Sequence, residues 1–189
     1  ITGANTGDCF GKSLSSGDLN ADGRIDLAVG ASCYASNAGR VYIFYADGLI
    51  GTAATTADIT ITGGAGDDTF GTKQVTGDFN YDSKTDILIS APGYNAGGNT
   101  GRAYIFYNDG SYASTVSGAD VTITGNAAGD LFGSSLIAGD FNSDNRVDFA
   151  VGGEAYSSST GRVYIFNNDG SIPTAASSAD VTITGGATG

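Results

Sequence analysis

The sequence predicts an all-β protein built from three tandem units, each of them a sheet of four antiparallel strands. An acidic loop begins at positions 18, 78 and 140, so one pattern recurs after 60 and then after 62 residues. Glycine accounts for 31 of the 189 residues while only 15% are charged, which is typical of turn-rich β structure. Apolar residues make up 40% of the chain and fall in short patterned runs, which argues against disorder.

The period divides the chain into three repeats, residues 1–63, 64–125 and 126–189. Each repeat carries five landmarks in the same order. They are Asp-x-Phe-Gly, the acidic loop, an apolar run, Gly-Arg-x-Tyr-Ile-Phe and Ala-Asp-x-Thr-Ile-Thr-Gly. A recurring unit of this length is one supersecondary block, so the chain is better counted in repeats than in ordinary domains.

The apolar runs predict the inner strands of each sheet. One run follows the acidic loop, at residues 27–29, 87–89 and 149–151, and a second lies at 41–45 and its counterparts. Both runs are apolar on both faces, which is typical of strands whose sheet is covered on both sides. We therefore expect each sheet to pack between two others.

The last run of each repeat predicts an outer strand. Residues 59–62 and 121–124 alternate strictly between aliphatic residues and threonine, as a half-exposed edge strand does. Asp-Gly pairs at 47–48, 109–110 and 169–170 mark the turns that lead toward it. Each repeat thus has about four strands, and four-stranded antiparallel sheets packed face to face in series are the blades of a β-propeller.

The acidic loop has the spacing of a calcium site, because oxygen-bearing side chains stand at its positions 1, 3, 5 and 9. The predicted side-chain ligands are Asp18, Asn20, Asp22 and Asp26 in the first repeat, Asp78, Asn80, Asp82 and Asp86 in the second, and Asp140, Asn142, Asp144 and Asp148 in the third. The backbone carbonyl of position 7, at Arg24, Lys84 or Arg146, is expected to add a ligand, and the position 9 aspartate to close the site. This predicts about three calcium ions, one per repeat.

The composition leaves few other metals to consider. The chain has no His, no Met and only two Cys, whereas zinc and copper sites favour imidazole and thiolate ligands. Magnesium prefers octahedral geometry with retained waters, which makes calcium the better assignment. The alternative interpretation is that the loops are solvated Asp/Asn turns with no ion.

The three loops are not equivalent at position 6, where the chain must turn sharply. This residue is Gly23 in the first loop, Ser83 in the second and Asn145 in the third. Glycine adopts positive φ freely and asparagine tolerates it, whereas serine meets a steric penalty there. We therefore expect the second site to be the weakest.

The two cysteines, Cys9 and Cys33, lie on either side of the first acidic loop, where two antiparallel strands would meet. Both are absent together from the other repeats, as is typical of a bonded pair. The matching residues are Thr69 with Gly93, and Leu131 with Ala155. We predict a disulfide, against the alternative of two buried free thiols.

Charge and composition argue against several classes of function. A net charge of −12 disfavours nucleic acid and anionic membranes as partners, and the chain has no apolar stretch long enough to span a bilayer. The absence of His removes the usual general base, and Glu154 is the only Glu, so we expect no enzyme. Weak calcium modules suit the millimolar calcium outside cells, which places the chain in an extracellular or cell-surface location.

Arginine and tyrosine also recur near the Tyr-Ile-Phe strand. Arg40, Arg102 and Arg162 precede that strand, and we expect them to be structural partners of aspartates. Tyr34, Tyr94 and Tyr156 follow the first apolar run. They are expected to pack beneath a loop, the alternative being to stack on sugar rings.

The chain resembles a known family in the residues that flank the acidic loop. Phe10-Gly11, Phe70-Gly71 and Phe132-Gly133, followed by Val-Gly-Ala at 29–31, Ser-Ala-Pro at 90–92 and Val-Gly-Gly at 151–153, are similar to FG-GAP repeats. That family supplies the propeller of integrin α subunits and of many bacterial surface proteins. The resemblance implies a calcium ion between the first and second strands of each blade. The sequence departs from the family's Gly-Ala-Pro in repeats one and three.

The number of repeats leaves the assembly open, since propellers typically close with about 4 to 8 blades. Residues 1–3 and 183–189 fall at the same point of the repeat. The chain is therefore expected to be a piece of a longer propeller, to complete a ring by association, or to continue end to end as a fibre. Two functions follow: a calcium-stabilised structural repeat protein that associates with itself or with further repeats, or an adhesion module for a protein or glycan ligand.

Overall fold

Three antiparallel sheets, one per repeat, make up the computed structural model, which describes residues 1–48, 50–95 and 98–186. Each sheet has four strands that pair in the order in which they occur along the chain. The predicted fold class, all-β with three four-stranded antiparallel blades of propeller type, is confirmed. Residues 187–189, at the end of the predicted third repeat, lie outside the described residues.

The strands follow the landmarks of the repeat. The first sheet contains β1 (Phe10–Gly17), β2 (Asp26–Ala31), β3 (Arg40–Phe44) and β4 (Ile59–Thr62). The second contains β5 (Gln74–Gly77), β6 (Asp86–Ala91), β7 (Arg102–Phe106) and β8 (Val121–Thr124). The third contains β9 (Phe132–Gly139), β10 (Asp148–Gly153), β11 (Arg162–Phe166) and β12 (Val181–Thr184).

Short helical turns connect some of the strands. One-turn segments α1 (Tyr34–Asn37) and α2 (Tyr156–Ser159) follow the second strand of the first and third sheets. Single 3₁₀ turns at Ala54–Thr56, Val116–Gly118 and Ala176–Ser178 precede the outer strands. The described residues include no helix with the length and apolar character of a membrane span.

The middle strands are covered on both faces except in the third sheet, where Val163 of β11 is exposed. All six residues of β6 and all six of β10 are buried, as are four of the five residues in β3 and in β7. Three apolar clusters result: one on the first sheet, one between the first and second sheets, and one between the second and third. The prediction that the runs with two apolar faces form strands between neighbouring sheets is therefore confirmed for the second sheet.

The Phe of each Phe-Gly pair packs edge-on against the Tyr of the third strand of its own sheet. The ring centroids lie 5.4 Å apart for Phe10 and Tyr42, 5.8 Å for Phe70 and Tyr104, and 5.3 Å for Phe132 and Tyr164. Edge-to-face geometry at this separation is a favourable aromatic contact. The Phe-Gly pair thus holds the same position in every repeat.

Neighbouring sheets meet where the Phe-Gly backbone of one repeat runs beside the glycine that precedes the third strand of the previous repeat. Gly39 forms a parallel bridge with Phe70, and Gly101 forms one with Phe132. A side chain at either glycine would collide with the Phe backbone. This close approach requires glycine in the Gly-Arg-x-Tyr-Ile-Phe landmark.

Candidate metal centres

The three acidic loops join the first and second strands of their sheets and therefore lie at the same edge of each blade. Loop positions are counted from Asp18, Asp78 and Asp140 as position 1. Residues 18–25 connect β1 to β2, and the same connection is made by 78–85 and 140–147. The structure thus places all fifteen predicted metal-site residues in, or at the end of, three equivalent loops.

The side-chain oxygens of positions 1 and 3 are drawn together by one shared donor. In the first loop the backbone N–H of Asp22 donates to Asp18 Oδ1 at 2.9 Å and to Asn20 Oδ1 at 3.0 Å. The same pair of bonds measures 3.1 and 3.0 Å in the second loop, and 3.1 and 2.9 Å in the third. These two oxygens therefore converge on the concave side of each loop, as a hard cation requires.

Two further bonds fix each loop. The position 6 N–H donates to the second carboxylate oxygen of position 1, at 2.8 Å from Gly23, 2.8 Å from Ser83 and 2.9 Å from Asn145. The position 7 N–H donates to Oδ1 of position 5 at 2.9 Å in all three loops. The loops therefore share one conformation in spite of their different residues at positions 4, 6 and 8.

Two residues of each loop adopt positive φ. Position 6 does so at Gly23 (85°), Ser83 (68°) and Asn145 (67°), in agreement with the sharp turn inferred from the sequence. Position 4 does so as well, with φ of 59°, 66° and 65° at residues 21, 81 and 143. Sequence reasoning missed position 4, because alanine, tyrosine and serine carry no preference for this region.

The position 9 aspartates are the most enclosed carboxylates of the loops. Asp26, Asp86 and Asp148 are exposed by 1, 0 and 0%. One carboxylate oxygen of each accepts the N–H of loop position 2, and the other accepts the N–H of the second residue after the third strand, all at 2.8 Å. Each thus ties its loop to the neighbouring strand connection, a structural role that the sequence analysis missed. Its role as a metal ligand stays a prediction.

Burial raises the pKa of Asp86 to about 6. The N–H bonds from Asn108 and Phe79 act against that rise, while the carboxylates of Asp82 and Asp78 add to it. A divalent cation in the loop would lower this pKa, because an opposite charge nearby favours the ionised carboxylate.

The cation at position 7 differs between the loops. Nη1 of Arg24 and of Arg146 donates to a backbone carbonyl beyond the third strand, at 3.2 Å in both cases. Lys84 instead places its Nζ 3.7 Å from Asp82 Oδ2. In the second loop an ammonium group therefore lies beside a predicted ligand, which adds to the expectation that this site is the weakest.

The donors of the loops fit calcium by their chemistry, since carboxylate, amide and backbone carbonyl are all oxygen ligands. Within the described ranges, no three His, Cys, Asp or Glu side chains lie together in a metal-binding arrangement. Each loop presents the carboxylates of positions 1 and 5 together with the amide of position 3, while both oxygens of the position 9 aspartate accept backbone N–H groups from outside the turn. Support for a metal therefore comes from the donor set and the shared loop conformation.

Cys9 and Cys33 form a disulfide with a Cα–Cα distance of 5.3 Å. It joins the residue before β1 to a residue just after β2, at the opposite end of these strands from the acidic loop. In the second repeat the Gly93 N–H donates to Thr69 Oγ1 at 3.1 Å in the same place. In the second repeat a hydrogen bond therefore connects the two positions that the disulfide joins in the first repeat.

The recurring arginines have partners other than aspartate, so that expectation was wrong. Their guanidinium carbons lie over the rings of the recurring tyrosines, at 3.8 Å for Arg40, 3.6 Å for Arg102 and 3.7 Å for Arg162. Each Nε also donates to the last threonine of the outer strand, at 2.9 to 3.1 Å. The tyrosines Tyr34, Tyr94 and Tyr156 are thus covered by arginine, in keeping with their expected packing role.

The sequence of this chain matches a known repeat family, which defines its class of protein. The family model described as FG-GAP repeat matches residues 10–44, 70–106 and 132–166, which is more than half of the chain. The chain belongs to the FG-GAP repeat family.

The chain is also similar in sequence to parts of two kinds of longer protein. Phosphatidylinositol-glycan-specific phospholipase D of Mus musculus is 33% identical over 149 residues, which is 73% of this chain and 17% of that protein. The Bos taurus phospholipase is 32% identical over 155 residues, 76% of this chain and 18% of that protein. Integrin alpha-M of Mus musculus is 32% identical over 163 residues, 82% of this chain and 14% of that protein. The chain spans less than a fifth of these relatives.

Proposed function

We propose that this chain is a calcium-stabilised structural repeat protein of an extracellular or cell-surface assembly, in which β blades pack in series. The observation that carries the proposal is the shared loop: three times, Asp and Asn oxygens are drawn to one side of the turn by the same backbone N–H groups. Three equivalent loops at the same edge of three equivalent sheets suit a stiffening role that is spread along the molecule.

The loop residues would hold an ion in different ways. Positions 1, 3 and 5 would bind it through side-chain oxygens and position 7 through its backbone carbonyl. The buried aspartate at position 9 anchors the loop by accepting two backbone N–H groups. A bound calcium ion supplies positive charge that offsets repulsion among the carboxylates, which is roughly 1 kcal/mol per pair at about 4 Å in water. Since the loop joins two strands of one sheet, an ion there would fix the first strand to the second.

A binding module is the second candidate function. The similarity to integrin alpha-M covers 82% of the chain, and a cleft of about 530 Å³ opens between the second and third repeats. Its lining is about half polar and includes Asp67, Thr69, Thr72 and Glu154 beside the apolar Pro92 and Leu131. A hydroxyl-rich ligand such as a glycan fits that lining. We prefer the structural role because it depends on the acidic loop, which all three repeats share, whereas the cleft lies between two of them.

No catalytic role is proposed. The chain contains no His, and its single Glu lies in one repeat only. The similarity to the phospholipases covers 17 to 18% of their length, so their activity is not transferred to this chain.

Calorimetric titration with calcium tests the proposed function. We expect binding of about three ions by the parent chain and loss of one ion in each of the variants Asp22→Ala, Asp82→Ala and Asp144→Ala. Asp47→Ala is the matched control, because it removes an exposed aspartate outside the loops. Absence of binding heat in the parent chain, or an equal loss in the control, would contradict the calcium assignment.

A further inference from the structure

A buried asparagine follows the third strand in both the second and the third sheet. Asn108 and Asn168 are exposed by 3 and 2%, and the backbone N–H of each donates at 2.8 Å to the position 9 aspartate of its own repeat. Their side chains extend across the sheet contact to the acidic loop of the preceding repeat. Each asparagine therefore contacts two loops.

The two side chains bind different peptide groups of the preceding loops. Asn168 Nδ2 donates at 3.0 Å to the carbonyl of Phe79, which is position 2 of the second loop. Asn108 Nδ2 donates at 3.5 Å to the carbonyl of Asp18, which is position 1 of the first loop. The contact with the second loop is therefore shorter and lies one residue further along the chain.

This difference of one residue changes what each contact adds to its loop. The position 2 N–H donates to the position 9 aspartate in both loops, so the peptide group between positions 1 and 2 is already held. Asn108 binds the carbonyl of this same peptide group. Asn168 binds the next one, which joins Phe79 to the predicted ligand Asn80. The second loop is thus held on both sides of position 2, and one of the two bonds comes from the third repeat.

Side-chain packing ties the same segment to the third repeat. Phe79 is 1% exposed, and its ring centroid lies 5.7 Å from that of Phe149 in β10. The Arg146 guanidinium carbon lies 4.9 Å from the ring centroid of Tyr81, at position 4 of the second loop. Tyr81 has a φ of 66°, where a residue with a Cβ is disfavoured. The first loop has Ala21 at this position, which offers no ring for such a contact.

We propose that Asn168 is a positioning residue for the ion site of the second loop, and that ion binding there is coupled to the contact between the second and third sheets. The inference rests on the proposed calcium-binding role of the loops. The bond from Asn168 fixes the peptide group from which Asn80 extends, so less binding free energy goes into ordering the loop. Coupling of this kind is reciprocal, so an ion in the second loop in turn strengthens the contact between the two sheets.

An NMR titration with calcium tests the inference in the intact chain, because the backbone N–H signals of Asp22, Asp82 and Asp144 report the three loops separately. In Asn168→Ala we expect the dissociation constant of the second loop to rise about tenfold. The third loop should keep its affinity, because alanine retains the backbone N–H that Asp148 accepts. A residue that only stabilised the fold would not change one loop alone.

Two variants serve as matched controls. Asn108→Ala should leave the affinity of the first loop nearly unchanged, because the peptide group that it releases keeps its bond to Asp26. Asn167→Ala removes the neighbouring amide, whose backbone N–H is the group that donates to Asp180, and should change no loop. An unchanged affinity of the second loop in Asn168→Ala would overturn the inference. So would an equal loss at all three loops.

Hydrogen exchange without calcium gives a readout that does not depend on the ion. The Asp82 N–H donates to the oxygens of positions 1 and 3, and in Asn168→Ala it should exchange about tenfold faster than in the parent chain. The Asp144 N–H of the third loop should keep its rate. Unchanged exchange at Asp82 would overturn the positioning role. Faster exchange in a chain that binds no calcium would instead remove the proposed function, and with it the coupling to an ion, but would retain the positioning of the loop.

Discussion

Each acidic loop contains two kinds of aspartate that the sequence alone does not distinguish. Asp140 and Asp144 are exposed and accept N–H groups from their own loop, whereas Asp148 is buried and accepts N–H groups from Phe141 and Asn168. The exposed pair lies on the side that we propose binds the ion, and the buried aspartate holds the loop in place. A loop of nine residues would therefore combine ion binding with anchoring.

Asp148→Asn tests the anchoring role. The amide keeps the shape of the side chain but replaces one acceptor oxygen by a donor, so one buried N–H group loses its partner, at a cost of about 1 to 3 kcal/mol. Asp144→Asn is the matched control, because it also replaces a predicted ligand carboxylate by an amide but is exposed. Denaturation by urea in excess calcium should show a lower free energy of unfolding for Asp148→Asn. Equal values for both variants would contradict the anchoring role.

Ser83→Gly tests the cause of the expected weakness of the second site. Ser83 has a φ of 68°, where a residue with a Cβ is disfavoured by roughly 1 to 2 kcal/mol. Glycine should relieve this strain and strengthen calcium binding at the second loop, while Ser83→Ala, which keeps the Cβ, should not. The affinities are measured by calorimetry. A second site that is the tightest in the parent chain would show that strain does not rank the loops.

At the level of the elements, a buried asparagine links the second sheet, and another the third sheet, to the acidic loop of the sheet before it. The Asn168 N–H donates to Asp148 of its own repeat at 2.8 Å, and its Nδ2 donates to the Phe79 carbonyl of the second loop at 3.0 Å. Asn108 makes the corresponding contacts with Asp86 and with the Asp18 carbonyl of the first loop. Neighbouring loops are thus in contact through one side chain.

Asn168→Ala should therefore weaken the contact between the second and third sheets. The variant leaves the Phe79 carbonyl without this donor, and we expect the free energy of unfolding to fall by about 1 to 2 kcal/mol. Asn167→Ala is the matched control, because the backbone N–H of Asn167, not its side chain, donates to Asp180. Urea denaturation in excess calcium measures both variants. An unchanged stability of Asn168→Ala would show that the contact contributes little.

Strand positions were predicted well from the sequence because the runs at 27–29 and 87–89 are short, apolar on both faces and bounded by turns, a pattern typical of enclosed strands. Other features were missed because they depend on partners that are distant along the chain. The stacking of Arg40 on Tyr34 and the anchoring by Asp26 need the folded arrangement of several connections. The one-turn segment α1, with positive φ at Ala35 and Ser36, has no signal in residue preferences.

At the level of the whole molecule, the inter-sheet contact is the unit of construction. The chain makes this contact twice, with a Phe-Gly pair entering at Gly39 and again at Gly101. In repeat proteins of this kind, stability is approximately a sum of terms for repeats and for the interfaces between neighbours. Calcium in each loop would add to the repeat terms.

Thermal unfolding in millimolar calcium and again with excess chelator is the strongest test of calcium stabilisation. If the folded loops bind the ion and the unfolded chain does not, each site should contribute about 2.7 kcal/mol when calcium is a hundredfold above its dissociation constant. We expect the melting temperature to rise steadily with calcium concentration and to fall on chelation. A melting temperature that is the same in calcium and in chelator would contradict the proposed role of calcium.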